Sequence, residues 1–247
     1  MVRDDDKKMI IKFNEKELNL NIRDEADQSV MREIFKLREY RIVEPIIAIA
    51  KSPILDIGAH VGFFSIYCRA LNSDVKIFAV EPLKENLDAL DEHFKLNNIK
   101  GVEIVETALA GVTEKRKLVV TEDRQNNYLD SRFHGNDKGA STVIPVKTGI
   151  QRVVQAYSFN DFCEKNHIEK VSLLKMDIEG GEYEVFDTMN DDDFSKISAI
   201  ILEYHNGERN YKEIEERLRE NGFGVQIFPS KFDKKMGFIF ANNKRGI

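Results

Sequence analysis

Short, mostly apolar runs alternate with stretches of helical spacing along much of this chain. Residues 53–57, 75–80, 102–105, 171–178 and 197–204 form such runs, the pattern of parallel strands buried on both faces. Between them, 63–71, 82–97, 158–167, 178–189 and 210–221 read as helices; Asn97 and Asn98 end the second and Gly222 closes the last. A further short strand is expected at 117–120, and two final strands at 225–228 and 237–241, joined by a basic turn at 231–235. Strands alternating with helices and ending in an antiparallel pair predict an α/β fold with a doubly wound, mostly parallel sheet. Ahead of it, residues 1–30 are charged and weakly patterned, with a short strand at 9–13. Val30, Ile34, Leu37, Ile42, Ile46 and Ile49 then recur at helical spacing, which predicts one or two helices over 28–50. Residues 1–50 therefore read as a lead-in and 51–247 as the main domain.

The alternation breaks at 124–152, a polar stretch with Gly135, Gly139, Pro145 and Gly149 and no clear period. Loops of that length inside a compact domain are uncommon and are either lids or insertions. The words at 130–137 and 143–151 resemble peptides read out of repetitive bacterial DNA elements. The segment is accordingly expected to be a tolerated, exposed insertion with no catalytic part.

Composition narrows the classes. With 247 residues and 42% hydrophobic content, the chain can build one α/β domain with a proper core. A net charge of -6 gives no support for non-specific nucleic-acid binding, which needs a basic surface. The apolar runs are too short to span a bilayer, and the amino-terminal residues carry no signal-type apolar region. Cys68 and Cys163 are too few for a disulfide framework. These features predict a cytoplasmic protein without a membrane partner.

The first strand ends in Asp56-Ile57-Gly58-Ala59-His60-Val61-Gly62 and opens a helix at Phe63. Glycines at a strand's carboxyl end let the backbone approach a ligand, and the helix start presents free amides. The spacing D-x-G-x-x-x-G differs from the G-x-G-x-x-G of nicotinamide and flavin folds. It favours methyl transfer from S-adenosyl-L-methionine, which has no pyrophosphate to cradle, over hydride chemistry. About twenty residues on, the second strand ends in Glu81-Pro82, where a carboxylate can accept the hydroxyls of a ribose. Glu81 also suits a helix start, and the two roles are compatible.

Ligands of open α/β sheets sit beyond the carboxyl ends of the strands. Those ends supply Asp56, Glu81, the Thr107–Leu109 stretch, Asp177 and the Glu203–His205 stretch. Together, Asp56-x-Gly58-Ala59-x-x-Gly62, Val80-Glu81-Pro82, Ala108-Leu109 and Lys175-x-Asp177-x-Glu179-Gly180-x-Glu182 resemble the FkbM family of methyltransferases. The match runs over roughly 54–203, interrupted by 124–152, and the stretch 33–40 resembles what precedes the domain in that family. The resemblance implies the Rossmann-like, seven-stranded sheet of class I methyltransferases and O-methylation of sugars, polyketides or other secondary metabolites. It places Asp56, Gly58, Ala59, His60, Gly62 and Phe63 at the methionine end and the turn around it. Glu81 would hold the ribose, and Ala108 with Leu109 would border the adenine. Asp177 is the first candidate for orienting the acceptor or removing its proton, and His205 the second.

Asp177, Glu179, Glu182, Glu203 and His205 are dense enough in oxygen ligands to suit Mg²⁺. Helix-start charges and hydrogen bonding explain the same density, so no metal ligand is assigned. His93 and His167 read as helix-surface residues. The expected partner is a small hydroxylated acceptor. Competing readings are a nicotinamide-dependent oxidoreductase, a nucleoside-binding protein inactivated by the insertion, and a nucleic-acid methyltransferase.

Overall fold

Residues that alternate between two apolar layers can only be satisfied by helices on both faces of a sheet, and that is the architecture found in the computed structural model. It describes residues 7–120, 128–129, 150–207, 209–231, 233 and 235–244. The chain opens with a hairpin, β1 (Lys7–Phe13) and β2 (Lys16–Ile22), paired from Lys7↔Ile22 to Phe13↔Lys16. Helix α1 (Glu25–Met31) follows, capped by the Asp24 side chain, then a π-helical turn (Arg32–Leu37) and a 3₁₀ turn (Glu39–Val43), and finally α2 (Glu44–Ile49). The body comprises β3 (Ile54–Ile57), α3 (Phe63–Leu71), β4 (Ile77–Val80), α4 (Lys84–Leu96), β5 (Val102–Val105), β6 (Ala108–Leu109), β7 (Glu114–Val120), β8 (Tyr128–Leu129) and β9 (Ile150–Tyr157). It continues with α5 (Phe159–Lys165), β10 (Leu173–Met176), α6 (Glu182–Thr188), α7 (Asp191–Ser195), β11 (Ala199–His205), α8 (Tyr211–Glu220), β12 (Phe223–Pro229) and β13 (Met236–Asn243).

Seven strands form the main sheet in the order β12-β13-β11-β10-β3-β4-β5. The five from β11 to β5 run parallel, and β13 is antiparallel to both its neighbours. This is the doubly wound, mostly parallel sheet with an antiparallel carboxyl-terminal strand that the sequence predicts. The chain reverses direction of travel across the sheet between β3 and β10, so a crevice opens beyond their carboxyl ends. Successive strand residues feed opposite layers: Ile54, Ile77, Ala79, Leu173 and Ile201 join one core, while Leu55, Phe78, Leu174, Ile200 and Leu202 join the other.

Among the differences from the sequence expectation, four bear on how the site is built. The strand at 9–13 is half of a hairpin whose turn residues, Asn14 and Glu15, both hold positive φ (46° and 62°) without a glycine to announce it. The helical region begins at 25 rather than 28 and is broken by Arg38 in the left-handed conformation (φ 55°). His93 is not on a surface: it is 1% exposed, its Nδ1 lies 2.9 Å from the Val61 carbonyl, and its Nε2 accepts the Asn21 amide at 2.9 Å. That bond pins the hairpin to α4, and burial lowers the pKa of the imidazole. His167, by contrast, is exposed, in a turn after α5.

The fourth difference concerns the edge of the proposed insertion. Residues 150–152 belong to β9, which pairs with β7 from Val120↔Ile150 to Glu114↔Ala156. Strands β6, β9, β7 and β8 make a second, four-stranded sheet. Arg116, fully buried, joins this sheet to α6 through a two-pronged contact with Glu184 and an ion pair to Glu114 at 2.8 Å. Residues 121–127 and 130–149, and with them most of the expected insertion including His134, lie outside the described residues, as do Phe232 and Lys234 of the basic turn. No described helix is long and apolar enough to cross a membrane.

Strand pairing up to Ile150 sets where the chain tolerates shortening. Replacing 130–149 by a short glycine–serine linker is expected to leave the thermal midpoint nearly unchanged. Removing all of 124–152 deletes paired strand residues and is expected to lower it by roughly 4–8 °C, for a loss of about 2 kcal/mol. Differential scanning calorimetry of the two deletions checks the contrast.

Candidate active site

At the carboxyl end of β3 the chain turns through Gly58 (φ 74°) and reaches α3 through Gly62 (φ 83°). A Cβ on Gly58 would stand 1.9 Å from the Asp177 carbonyl oxygen, so only glycine lets the two adjacent strand ends pass. The turn is held by the Gly58 and Ala59 amides, which both donate to the Val80 carbonyl at 3.0 Å. From β10, the buried Lys175 ammonium donates to the Gly58 carbonyl at 2.8 Å and the Ile57 carbonyl at 3.3 Å. It also pairs with Asp56 at 3.4 Å, its cross-strand register partner. Burial alone would discharge Lys175, but Asp56 and Asp177 raise its pKa and keep it an ammonium. Asp56 is itself fully buried and accepts the Ser65 hydroxyl of α3 at 2.7 Å.

The turn forms one wall of a cavity of about 400 Å³. At this end Glu81 is 5% exposed, with one carboxylate oxygen on the His60 amide (3.0 Å) and the other on the Leu83 amide (2.9 Å) and Asn86 side chain (3.2 Å). Burial pushes its pKa up to about 7 against those donors. The His60 backbone has φ 51°, and burial lowers its imidazole to about 4, so the ring is neutral at pH 7 although Nε2 lies 3.6 Å from Asp27. Ala59, Ala108 and Leu109 complete this wall with small or apolar surface.

The opposite end is rich in carboxylates. Asp177, Glu179, Glu203 and His205 reach it from the ends of β10 and β11, and Glu33 from the lead-in. One ligand-type atom from each of Asp177, Glu203 and His205 falls within 4.8 Å of the others. The His205 ring stands between Glu179 (Nε2 to Oε2 3.6 Å) and Glu182 (Nδ1 to Oε1 3.8 Å). Burial works against the imidazolium, but the facing Glu182 carboxylate and the charges of Asp177 and Glu179 override it and raise the pKa to about 10. Glu203 moves well above the carboxylate range through burial and the proximity of Asp177.

The comparisons with known proteins carry the same direction. The Methyltransferase FkbM domain family matches residues 56–225. The chain belongs to the FkbM methyltransferase family. It is 25% identical over 225 residues to the methyltransferase sdnD of Sordaria araneosa, covering 80% of this chain and 82% of that one. It is 23% identical over 192 residues to the 31-O-demethyl-FK506 methyltransferase FkbM of Streptomyces tacrolimicus, covering 70% and 72%. A SAM-dependent methyltransferase from Agrobacterium tumefaciens superposes with a TM-score of 0.54 at 10% identity, over 96% of this chain and 70% of that one. That likeness establishes the class I methyltransferase fold.

In this FkbM-family chain, Gly58, Ala59, His60, Glu81, Ala108, Leu109, Asp177 and His205 all line one cavity. Asp56, Gly62 and Phe63 stand behind its wall. Asp56 is tied to Lys175 and Ser65, and a Cβ at Gly62 would meet Leu90 at 2.9 Å. Phe63 packs its ring 5.0 Å from that of His93. Their contribution is to the shape of the turn. His205 stands among carboxylates that favour its protonated form.

The sequence reading passed over the roof. Ala26, Ser29, Val30, Glu33, Ile34 and Tyr40 of the lead-in close the cavity from above, with Ser29 donating to Glu33 at 2.7 Å. The signals available were the resemblance of 33–40 to the family's lead-in and the polar pair Ser29 and Glu33, four apart on an otherwise apolar helical face. Lys175 was visible in the Lys-x-Asp-x-Glu word without a role; its position beneath the turn depends on strand register.

Gly58→Ala forces a Cβ onto a backbone oxygen and a side chain into left-handed backbone. It is expected to cost about 2–4 kcal/mol of stability, read as a shift of the urea midpoint with an unchanged slope.

Proposed function

We propose that this protein transfers the methyl group of S-adenosyl-L-methionine to a hydroxyl of a small molecule, a sugar or a secondary metabolite. One observation carries the reading. A single cavity is lined by the glycine turn and buried Glu81 together with Asp177 and His205, at the carboxyl ends of β3, β4, β10 and β11. The residues suit the donor: Glu81 has a carboxylate available to ribose hydroxyls, and small side chains at Ala59 and Ala108 leave room for flat adenine. When bound, the donor supplies an already activated methyl on a cationic sulfonium.

What the chain must then add is alignment and a destination for one proton. Asp177, across the turn from Gly58, meets the acceptor hydroxyl, orients it and draws off its proton. His205 and the carboxylates around it hold the acceptor in line. The small-molecule acceptor follows the Streptomyces tacrolimicus relative, whose name describes such a substrate. The roof formed by Glu33, Ile34 and Tyr40 supports it, because it encloses the acceptor end.

Calorimetric titration with S-adenosylhomocysteine, with NAD as control, tests the donor. Saturable binding of the former and none of the latter is expected; NAD binding alone would sink the proposal. Because Glu81 titrates near 7, its carboxylate form, the better acceptor for ribose hydroxyls, is lost as pH falls. Affinity for S-adenosylhomocysteine is therefore expected to drop roughly tenfold between pH 8 and pH 6. Glu81→Gln should bind weakly at both and show a flat profile.

A further inference from the structure

The cluster at the acceptor end has a geometry that methyl transfer to a hydroxyl does not by itself require. Asp177, Glu203 and His205 present two carboxylate oxygens and a ring nitrogen within 4.8 Å of one another, a spacing that small rotations would bring onto one octahedral ion. Asp177 and Glu203 both face the cavity and are part-buried. The side chains behind them give a second, independent observation that points to a ligand.

Behind the cluster, Glu182 is fully buried, and its Oε1 is fixed by the Ile178 amide at 2.8 Å. The other oxygen, Oε2, and the buried His205 Nδ1 both lack hydrogen-bond partners, while Oε1 faces Nδ1 at 3.8 Å. A carboxylate behind one imidazole nitrogen, with the other nitrogen turned to a carboxylate cluster, is how metal-bound histidines are held in orientation.

We propose that Asp177, Glu203 and His205 bind a divalent cation of the Mg²⁺/Mn²⁺ type, with Glu182 as the positioning residue for His205. The oxygen-rich set suits hard cations, and the single imidazole favours Mn²⁺ over Ca²⁺. This departs from the sequence reading, which left the carboxylates to helix-start charge. It rests on the proposed methyltransferase site and deepens it. Three protein ligands leave positions open on an octahedral ion, so the acceptor fits as a chelator with two neighbouring oxygens, such as a vicinal diol or a hydroxy-ketone. Asp177 then orients the acceptor through the cation.

The test uses the full chain, freed of metal with EDTA and then desalted. Mn²⁺ binding is followed by calorimetry and by loss of the free-ion electron paramagnetic resonance signal. S-adenosylhomocysteine binding is measured separately, in EDTA. One Mn²⁺ per chain is expected. Asp177→Asn and Glu203→Gln should each weaken it at least tenfold, and Glu182→Gln by roughly tenfold to a hundredfold. Affinity for S-adenosylhomocysteine in EDTA should change less than twofold in Glu203→Gln, showing that this variant is folded. If the nucleoside binds and Mn²⁺ does not, or if Mn²⁺ binds equally to wild type and Glu203→Gln, the cation site is overturned and the methyltransferase reading stands. Mn²⁺ binding as expected without any S-adenosylhomocysteine binding supports the cation site and overturns the donor reading.

Discussion

A buried ammonium ties the two central strands of this sheet to the turn that follows the first of them. Lys175 on β10 and Asp56 on β3 are register partners, both withdrawn from water, and the same Nζ donates to the carbonyls of Ile57 and Gly58. Removing one member of such a pair strands the other charge in a low-dielectric interior, at a cost of about 3–5 kcal/mol. The pair sits where the strand order reverses, so the position of the glycine turn, the passage of Asp177 past Gly58 and the start of α3 all depend on it. Ser65 extends the arrangement into α3 by donating to Asp56. Asp56 therefore acts on the cavity through the backbone it positions.

The cavity has two electrostatically different ends. Near the turn, the lining consists of small side chains, a neutral histidine and one carboxylate whose pKa burial raises to about 7 against its donors. At the far end, four carboxylates surround His205. Positive charge is favoured there, whether a protonated imidazole or a bound cation.

The lead-in is part of this design. Phe13 stacks on Tyr67 of α3 with centroids 4.7 Å apart, and Tyr40 packs against Phe64 and Phe238, so residues before β3 share a core with the sheet. The buried His93 locks the hairpin to α4. Such packing holds a polar pair, Ser29 and Glu33, against the carboxylate-rich part of the cavity.

Much of the fold was legible because its information is local. Apolar runs of four to eight residues marked β3, β4, β10 and β11, and glycine and asparagine marked the ends of the helices between them. The acidic residues at strand ends could be read as ligand-facing, since parallel strands share one carboxyl edge. The second sheet was not legible: β9 follows a long polar segment and earns its place by pairing with β7, a contact between residues distant in sequence. His93 was misread for a similar reason, because its helix has a polar surface and only the returning hairpin covers that position. By itself, then, the sequence determined the α/β alternation, the glycine turn and the set of strand-end carboxylates, all consequences of periodicity and backbone chemistry. Tertiary structure alone decided which of those side chains face the cavity and which lie beneath it. It also set the charge His205 carries and the roof supplied by the first fifty residues, because burial and through-space neighbours arise only once distant segments have packed.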